Sequence, residues 1–387
     1  MRRALIAVLV VLAPAAAAAQ QQTPADIISF LVTNQSVQTG DFQKDRAAAA
    51  ATRDTIVRAL QVSLATVPIP SSSSGFVYRL NPELGTPSRV SASFGTFFVE
   101  RAMTSGHGRF LFGAAGTTAD YDRLDGLDLG DGTLLTAANT FVDEPAPFDT
   151  EALTLKIRTS TLTLYGTYGV TDRLEIGGAL PFVQLKIEGS RLNVYRGQSF
   201  VQASGTASSS GVADVAARVK YRVVGTRRAG FAAAGEVRLP TGNEDQLLGA
   251  GRASVRVMGI GSLEEGRAGV HGNFAIVRGG VSDEVDTSGA VTFVATPRVT
   301  LAGEILIRRL SDVHQVVSVN APHPTIANVI TQRLSTGLST SVISSAVTGV
   351  KWNAGKTMVL TGEVLWRLGN GGLTAPFTPT ISLDYLF

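Results

Sequence analysis

The densest group of possible metal ligands is a run of five aspartates between Asp120 and Asp131. Calcium prefers several carboxylate oxygens, so we first ask whether this run could bind it. The spacing departs from an EF-hand loop, because Leu124 stands at the fifth place and Asp125 stands where glycine is needed. The run is better interpreted as a solvated outer loop, and we predict no metal site.

The four histidines, His107, His271, His314 and His323, are scattered along the chain. No two of them have the spacing of a metal-binding pair. A hydrolase would need a nucleophile, a base and an orienting group brought together, and no adjacent residues suggest that set. The sequence therefore predicts neither an enzyme nor a cofactor.

Charged residues recur at every second position in segments that are otherwise apolar. In Gly211–Gly242, Arg218 and Lys220 alternate with Val219 and Tyr221. Side chains of a strand point to opposite faces in turn, so each such segment is a strand with one charged and one apolar face. On the lipid face of a membrane barrel a charge near the midplane costs about 2–4 kcal/mol, so these charges should line the interior. The predicted lumen-lining residues are Lys156, Arg158, Glu175, Lys186, Glu188, Asp214, Arg218, Lys220, Arg222, Glu236, Arg238, Arg252, Arg256, Glu304, Arg308, Glu363, Arg367 and Asp384.

The connections between these strands alternate between short and long. Short turns such as Thr171–Arg173 and Asn353–Lys356 interleave with long polar segments, of which Thr117–Thr150, Gly189–Ser210 and Ser311–Thr336 are the longest. A transmembrane barrel has short periplasmic turns and longer outer loops, and only a closed barrel or a helix satisfies the backbone in hydrocarbon. We therefore predict an all-β, transmembrane antiparallel β-barrel.

The predicted barrel has about fourteen strands, with twelve as the alternative, because such barrels usually have an even count. Gly75–Leu80 is the weak strand that restores parity, and Arg89–Arg101 is predicted to form a hairpin with Gly108–Gly116. The apolar phase slips near Thr159–Thr161 and near Pro181, which suggests a bulge or the edge of the membrane zone.

The N-terminal part of the chain has a different pattern. Arg2, Arg3 and the apolar run after them predict a signal peptide over residues 1–19. Residues 20–74 follow as a helical arm or plug, with helices over Ala25–Val32 and Ala47–Leu64 and Asp45 as N-cap. The barrel itself is predicted over residues 75–387. Whether the arm lies in the periplasm or fills the barrel stays open.

Composition agrees with export to a membrane. Only 17% of the residues are charged, against roughly 25% in an ordinary globular protein, and there is no cysteine. The formal charge of +3, with no basic run, gives no reason to expect nucleic-acid binding.

The last strand alternates Ile381, Leu383, Tyr385 and Phe387 with smaller or polar residues. Tyr385 and Phe387 resemble the C-terminal signal of bacterial outer-membrane proteins, which the barrel-assembly machinery recognises. Aromatic residues expected in the girdles at the membrane interfaces are Trp352, Trp366, Tyr221 and Tyr385.

Several segments resemble one family of outer-membrane barrels, named after the MetA pathway of phenol degradation. The similar segments are Tyr168–Ile176, with Leu180–Phe182 after it, Gly211–Val215, Lys220-Tyr221 and Arg238–Gly242. The resemblance covers about residues 89–387 and implies a transport role in a group with FadL-like transporters of hydrophobic or aromatic compounds. It implies no catalytic residues.

The sequence thus predicts a channel or transporter in the outer membrane of a Gram-negative-type bacterium, for passive passage of small, hydrophobic or aromatic compounds. The expected partners are outer-membrane lipids and lipopolysaccharide, the barrel-assembly machinery and a small solute, with no nucleic acid. The alternative is a non-conducting structural or surface-interaction barrel, whose lumen would be filled by internal ion pairs.

Overall fold

The structure is a computed structural model that describes residues 23–33, 42–66, 68–72, 78–80, 87–89, 93–226, 228–323, 326–355 and 357–386. The predicted signal peptide and Phe387 lie outside these residues.

Two helices precede the strands, α1 (Pro24–Thr33) and α2 (Phe42–Leu64). The strands are β1 (Tyr78–Leu80), β2 (Pro87–Arg89), β3 (Phe110–Tyr121), β4 (Arg123–Leu124), β5 (Leu127–Asp128), β6 (Leu135–Phe141), β7 (Asp149–Gly169), β8 (Leu174–Tyr195), β9 (Gln198–Val212), β10 (Val215–Gly225), β11 (Ala229–Leu239), β12 (Ser254–Glu265), β13 (Ala268–Gly279), β14 (Glu284–Thr296), β15 (Val299–Pro322), β16 (Val329–Gly355), β17 (Met358–Arg367), β18 (Leu373–Thr374) and β19 (Phe377–Leu386).

Twelve strands close into a ring, in the order β3, β7, β8, β10 to β17 and β19, with β19 pairing back to β3. Every pair in the ring is antiparallel. The strands β6 and β9 lie outside the ring and bring the sheet to 14 strands. The prediction of a transmembrane antiparallel barrel is confirmed, and closure leaves no open edge within the ring.

Two predicted strands do not belong to the barrel. Tyr78–Leu80, within the expected strand Gly75–Leu80, pairs with Pro87–Arg89 in a separate two-stranded sheet. The expected strand Arg89–Arg101 is also wrong, because residues 93–109 have no strand structure. We call residues 93–105 the inner segment. Its backbone groups bond to side chains of the wall instead of to a neighbouring strand, as described below.

The hairpin of β10 and β11 shows how the sequence pattern builds the wall. Arg218 pairs with Glu236 across the two strands, and the next pair, Val219 with Gly235, points the other way. The charged side chains point inward, whereas Val219 and Tyr221 are exposed on the outside. An outer belt of such apolar residues fits lipid.

Two of the long connections, Gly189–Ser210 and Ser311–Thr336, are extended hairpins and not loops. At the tip of β8 and β9, Arg196 and Gly197 have φ of 46° and 80°, which suits a two-residue turn that follows the strand twist. The hairpin of β15 and β16 covers most of Ser311–Thr336. Alternation is lost in these sequences because polar residues face water on the outside of the extension.

The apparent slip near Thr159–Thr161 is not a bulge. Pairing between β7 and β8 is continuous through it, with odd-numbered residues of β7 pointing inward throughout. The strand keeps its direction, but the type of residue on each face changes along it. At Leu162 the outward residue is apolar and its inward neighbour Thr161 is polar, whereas at Arg158 the outward residue is charged and its inward neighbour Ile157 is apolar. At Pro181, by contrast, the partner of β8 changes from β10 to β9, as expected for a residue without a backbone N–H.

The helix α1 begins with a capping box. The backbone N–H of Thr23 donates to Asp26 Oδ2 at 3.0 Å, and that of Asp26 donates to Thr23 Oγ1 at 3.1 Å. The second helix begins at Phe42, so the expected N-cap Asp45 lies inside it. Neither described helix is long and apolar enough to cross a membrane.

The largest apolar core joins the helices to the inner face of the extended strands. Ile27, Ile28 and Leu31 of α1 are buried with Leu155 and Ile187 of β7 and β8. The two helices therefore pack against the inner face of the barrel at its outer end, opposite the short turns.

Candidate functional site

Most of the predicted lumen residues point into the ring. The buried or half-buried ones are Glu175, Asp214, Arg218, Lys220, Arg222, Glu236, Arg238, Arg256, Glu304, Arg308, Glu363, Arg367 and Asp384. They come from seven of the twelve ring strands and from the break between β9 and β10. The period-two pattern thus brings residues that are far apart in sequence to one interior surface.

The prediction is wrong for four residues of β7 and β8. Lys156, Arg158, Lys186 and Glu188 point away from the interior, and Lys186 Nζ lies 2.5 Å from Glu188 Oε1 on the outside. This part of the hairpin lies at the outer end of the barrel, where Arg158 forms an exposed ion pair with Asp120 of β3. We infer that water surrounds its outer face, and its apolar residues turn to the helices. The rule that charges point inward applies only within the lipid zone.

Arg252 is also placed wrongly by the pattern. It is exposed in the connection between β11 and β12, since β12 begins only at Ser254. The error was to extend the strand alternation across a connection.

The centre of the lumen is an ion-pair network around Glu100 of the inner segment. Glu100 forms ion pairs with Arg218 and with Lys220, whose Nζ lies 3.0 Å from Glu100 Oε2. Ser72 donates to the same carboxylate from its backbone N–H and its hydroxyl, each at 2.8 Å. Burial raises the pKa of Glu100, but Lys220 and Arg218 lower it to about 2.

The network continues into the wall. Lys220 Nζ lies 3.2 Å from Glu175 Oε1, and Arg218 Nη2 lies 2.5 Å from Glu236 Oε2. Glu100 is 1% exposed, so its charge is tolerable only because these cations surround it.

Other wall residues bind the backbone of the inner segment. Glu304 accepts hydrogen bonds from the N–H groups of Phe97, Phe98 and Val99. Nearer the short turns, Glu175 Oε2 accepts the N–H of Ser105 at 2.7 Å. These carboxylates replace the ladder that a strand would have used, so the inner segment crosses the lumen without joining the sheet.

A second set of ion pairs lies across β12, β14 and β15. Arg308 donates to Glu284 through Nε at 2.9 Å and Nη2 at 2.7 Å, in a bidentate pair. Arg256 Nη2 lies 3.0 Å from Asp286 Oδ2.

Sequence reasoning missed Glu100, Glu284, Asp286 and Lys351. The first lies in a segment taken for a strand, and Glu284 and Asp286 lie at the start of β14. Lys351 points inward and donates to the backbone oxygen of Thr96 at 2.6 Å. The period-two pattern extended toward the strand ends would have found all but Glu100.

Two of the cavities bounded by the described residues lie beside the chain that crosses the lumen. The first measures about 120 Å³ and is lined by both sets of ion pairs. The second measures about 160 Å³ and lies between the end of α2 and the strands β3, β7, β17 and β19. Thr66, Pro68, Phe98 and Arg308 line both cavities and form the partition between them.

The aspartate run has structural partners. Asp125 accepts the N–H groups of Val316 and Gly372 at 2.9 and 2.6 Å, and Asp122 accepts Arg367 Nη1 at 2.6 Å. Within the described residues, no three His, Cys, Asp or Glu side chains form a metal-binding group. Burial raises the pKa of Asp125, which lies in the connection between β4 and β5.

The expected girdle residues Trp352, Trp366, Tyr221 and Tyr385 all point outward and are exposed. Their outward direction suits contact with the membrane.

The fold and the interior together define a transmembrane β-barrel whose lumen is crossed by its own chain. No protein-family model matches the sequence, and no curated protein matches it. Among solved structures the chain is similar to an outer-membrane channel from Pseudomonas putida F1, with 12% identity over 74% of this chain and 98% of that one and a TM-score of 0.48. It is similar at 11% identity to a mutant of the monoaromatic hydrocarbon channel TodX, over 84% and 97% of the two chains with a TM-score of 0.36. OprB from Pseudomonas putida is 9% identical over 73% and 93%, with a TM-score of 0.31. These likenesses are too distant to bear on function.

Proposed function

We propose that the protein is an outer-membrane channel for the passive passage of small molecules, and that the inner segment restricts the lumen. The observation that carries this proposal is the pair of cavities inside the ring, lined by charged and hydroxyl side chains. A wall built only for stability would gain more from apolar packing than from buried ion pairs, since exchanging such pairs for apolar residues is often neutral or stabilising.

The contacts between the inner segment and the wall are non-covalent. Hydrogen bonds to Glu304, Glu175 and Ser262 can be exchanged for water when the segment moves, because the lumen around it is polar. Passage therefore depends on movement of the inner segment.

The resemblance to the phenol-degradation family supports a finer proposal, in which the solute is hydrophobic or aromatic. The same proposal includes the assembly machinery and lipopolysaccharide as partners, on the evidence of the outward apolar belt and of Tyr385 in the last described strand.

A structural or surface-interaction barrel is the second candidate. It is favoured by the ion pairs that occupy the lumen and by the protruding hairpins of β8 with β9 and β15 with β16. In that case the cavities would hold only water.

A reversible tether tests the channel proposal. A Cβ atom built at Gly230 lies 3.2 Å from Cβ of Ala102, close to the ~3.8 Å usual between the Cβ atoms of a disulfide. The chain has no cysteine of its own, so Ala102→Cys with Gly230→Cys gives one possible disulfide. We would measure flux of a sugar, a phenolic acid and an alkane-like probe into liposomes, with the protein oxidised and then reduced.

The expected result is flux that falls on oxidation and returns on reduction, with each single-cysteine variant indifferent to both. An absence of flux for the folded wild-type protein would overturn the channel proposal. Equal flux in both redox states would instead show a channel whose inner segment does not move.

A further inference from the structure

In the part of the chain that the structure describes, the larger cavity is lined by positive charges alone, unlike the smaller cavity. Among the described residues that line it, the ionised groups are the guanidinium groups of Arg308 and Arg367, and no carboxylate is present. The smaller cavity, in contrast, is lined by Glu100, Asp214, Glu236, Glu284 and Asp286 together with four arginines. The larger cavity is therefore the part of the interior that favours a negative group.

Both arginines keep donors that the protein does not use. Arg367 Nη1 donates to Asp122 Oδ1 at 2.6 Å and to Thr374 Oγ1 at 3.4 Å, which leaves Nε and Nη2 without a partner among the described residues. Arg308 donates to Glu284 through Nε and Nη2, which leaves Nη1 without a partner among the described residues. A guanidinium has five N–H donors, so each side chain can hold its own carboxylate and still bind a second one.

The remaining wall is half hydroxyl and half apolar. Some hydroxyls already pair, such as Thr117 with Thr380 at 2.9 Å between Oγ1 atoms. The apolar side is formed by Leu64, Phe98, Leu365, Ile343, Leu373 and Val183. Such a cavity suits a molecule with an apolar body and one polar end, and it excludes a fully hydrated ion because the apolar side offers no hydrogen bonds.

We propose that this cavity, between the end of α2 and the strands β3, β17 and β19, binds a small organic carboxylate with an apolar body. The carboxylate lies against the unused donors of Arg308 and Arg367, and the body lies against the leucines and Phe98. The inference rests on the proposed function, since the cavity belongs to the same lumen. It adds the class of solute, which nothing in the distant likenesses supplies.

Binding to the cavity is measurable by calorimetry, which needs no reporter group. We would titrate the protein in detergent with benzoate, with neutral benzyl alcohol and with cationic benzylamine, and measure each affinity by calorimetry.

We expect benzoate to bind saturably and at least tenfold more tightly than either analogue. Arg367→Gln is expected to weaken the binding of benzoate at least tenfold and to change the binding of benzyl alcohol by no more than about twofold. The benzoate affinity of Arg367→Lys should lie between those of the wild type and Arg367→Gln. Arg308→Gln is the second variant, so that the inference does not depend on one arginine. Arg158→Gln, on the outer face of β7, is the arginine control and should leave benzoate binding unchanged. Folding of each variant is checked by its heat-dependent migration in detergent gels.

Benzoate affinity equal to that of benzyl alcohol, or unchanged by both arginine variants, would overturn the inference. So would a larger loss in Arg256→Gln than in Arg367→Gln, because Arg256 lines the smaller cavity. The binding test uses no membrane, so it separates the two proposals. Benzoate binding without flux would support the carboxylate site and refute the channel proposal. Flux without benzoate binding would refute the carboxylate site alone.

Discussion

Replacing Glu100 by glutamine is the change that most directly tests what holds the inner segment across the lumen. Glutamine keeps the shape, and its one oxygen can still accept one of the two hydrogen bonds from Ser72, but it removes the charge between Arg218 and Lys220. Loss of one partner from a buried ion pair costs about 3–5 kcal/mol. Because Glu175 and Glu236 still neutralise the two cations, we take the lower end, about 3 kcal/mol.

A loss of about 3 kcal/mol multiplies the ratio of displaced to seated inner segment by roughly 150, since each 1.36 kcal/mol is a factor of ten. The expected result for Glu100→Gln is a large rise in the open fraction of single channels in planar bilayers, with faster solute flux into liposomes. Lys220→Met removes the partner of the same pair, and the double variant should cost less than the sum of the two single changes.

The matched control is Glu188→Gln, which removes a carboxylate from an exposed pair on the outer face with Lys186. Its conductance and flux should equal those of the wild type. If Glu100→Gln behaves like this control while the protein is folded, the carboxylate does not hold the segment and the electrostatic reasoning is wrong.

Three further changes follow from close contacts and from charge. Gly169→Ala would place a Cβ 1.8 Å from the backbone oxygen of Gly106, so we expect a loss of about 1–3 kcal/mol in thermal unfolding and a displaced inner segment. Gly189→Ala would place a Cβ 2.3 Å from Leu31 Cδ1, so α1 should dock less tightly and its sequence should become more sensitive to protease. The folded pKa of Glu100, about 2, lies below the ordinary value of 4.5, so its contribution is complete above pH 4.5 and is lost toward pH 2. Conductance governed by Glu100 should therefore be level from pH 7 to 5 and rise below about 4.

Gly261→Ala is the control for both glycine variants, because a Cβ at this position meets no atom within 4 Å. Equal unfolding temperatures for Gly169→Ala and Gly261→Ala would contradict the close approach between β7 and Gly106, which follows the inner segment. If the conductance of Glu100→Gln also rises below about pH 4, a group other than Glu100 causes the acid effect.

The sequence predicts the wall well because a strand pattern is local. Arg218 and Val219 differ in direction only because they are neighbours on a strand, so the pattern alone assigns one to the interior and one to lipid. The pattern fails at Arg158, because the alternation of residues does not show where along the strand the lipid zone ends. It fails at Glu100 for another reason: the inner segment is as apolar as a strand, and only the folded wall supplies the carboxylate of Glu304 that satisfies its backbone.

The contacts also predict which part of the blocked lumen opens first. The four buried aliphatic residues of α1, Ile27, Ile28, Leu31 and Val32, contribute about 1.5–3 kcal/mol each as an upper estimate, and Arg191 donates to its backbone at 2.9 Å. The inner segment buries apolar side chains of similar size and is bound in addition by several charged groups, each hydrogen bond worth about 1.5–3 kcal/mol. We therefore expect the amides of α1 to exchange with solvent before those of residues 97–105, when hydrogen exchange is followed by mass spectrometry in detergent. The reverse order would mean that the ion pairs of the lumen are largely hydrated and that the inner segment, not α1, is the first part to move.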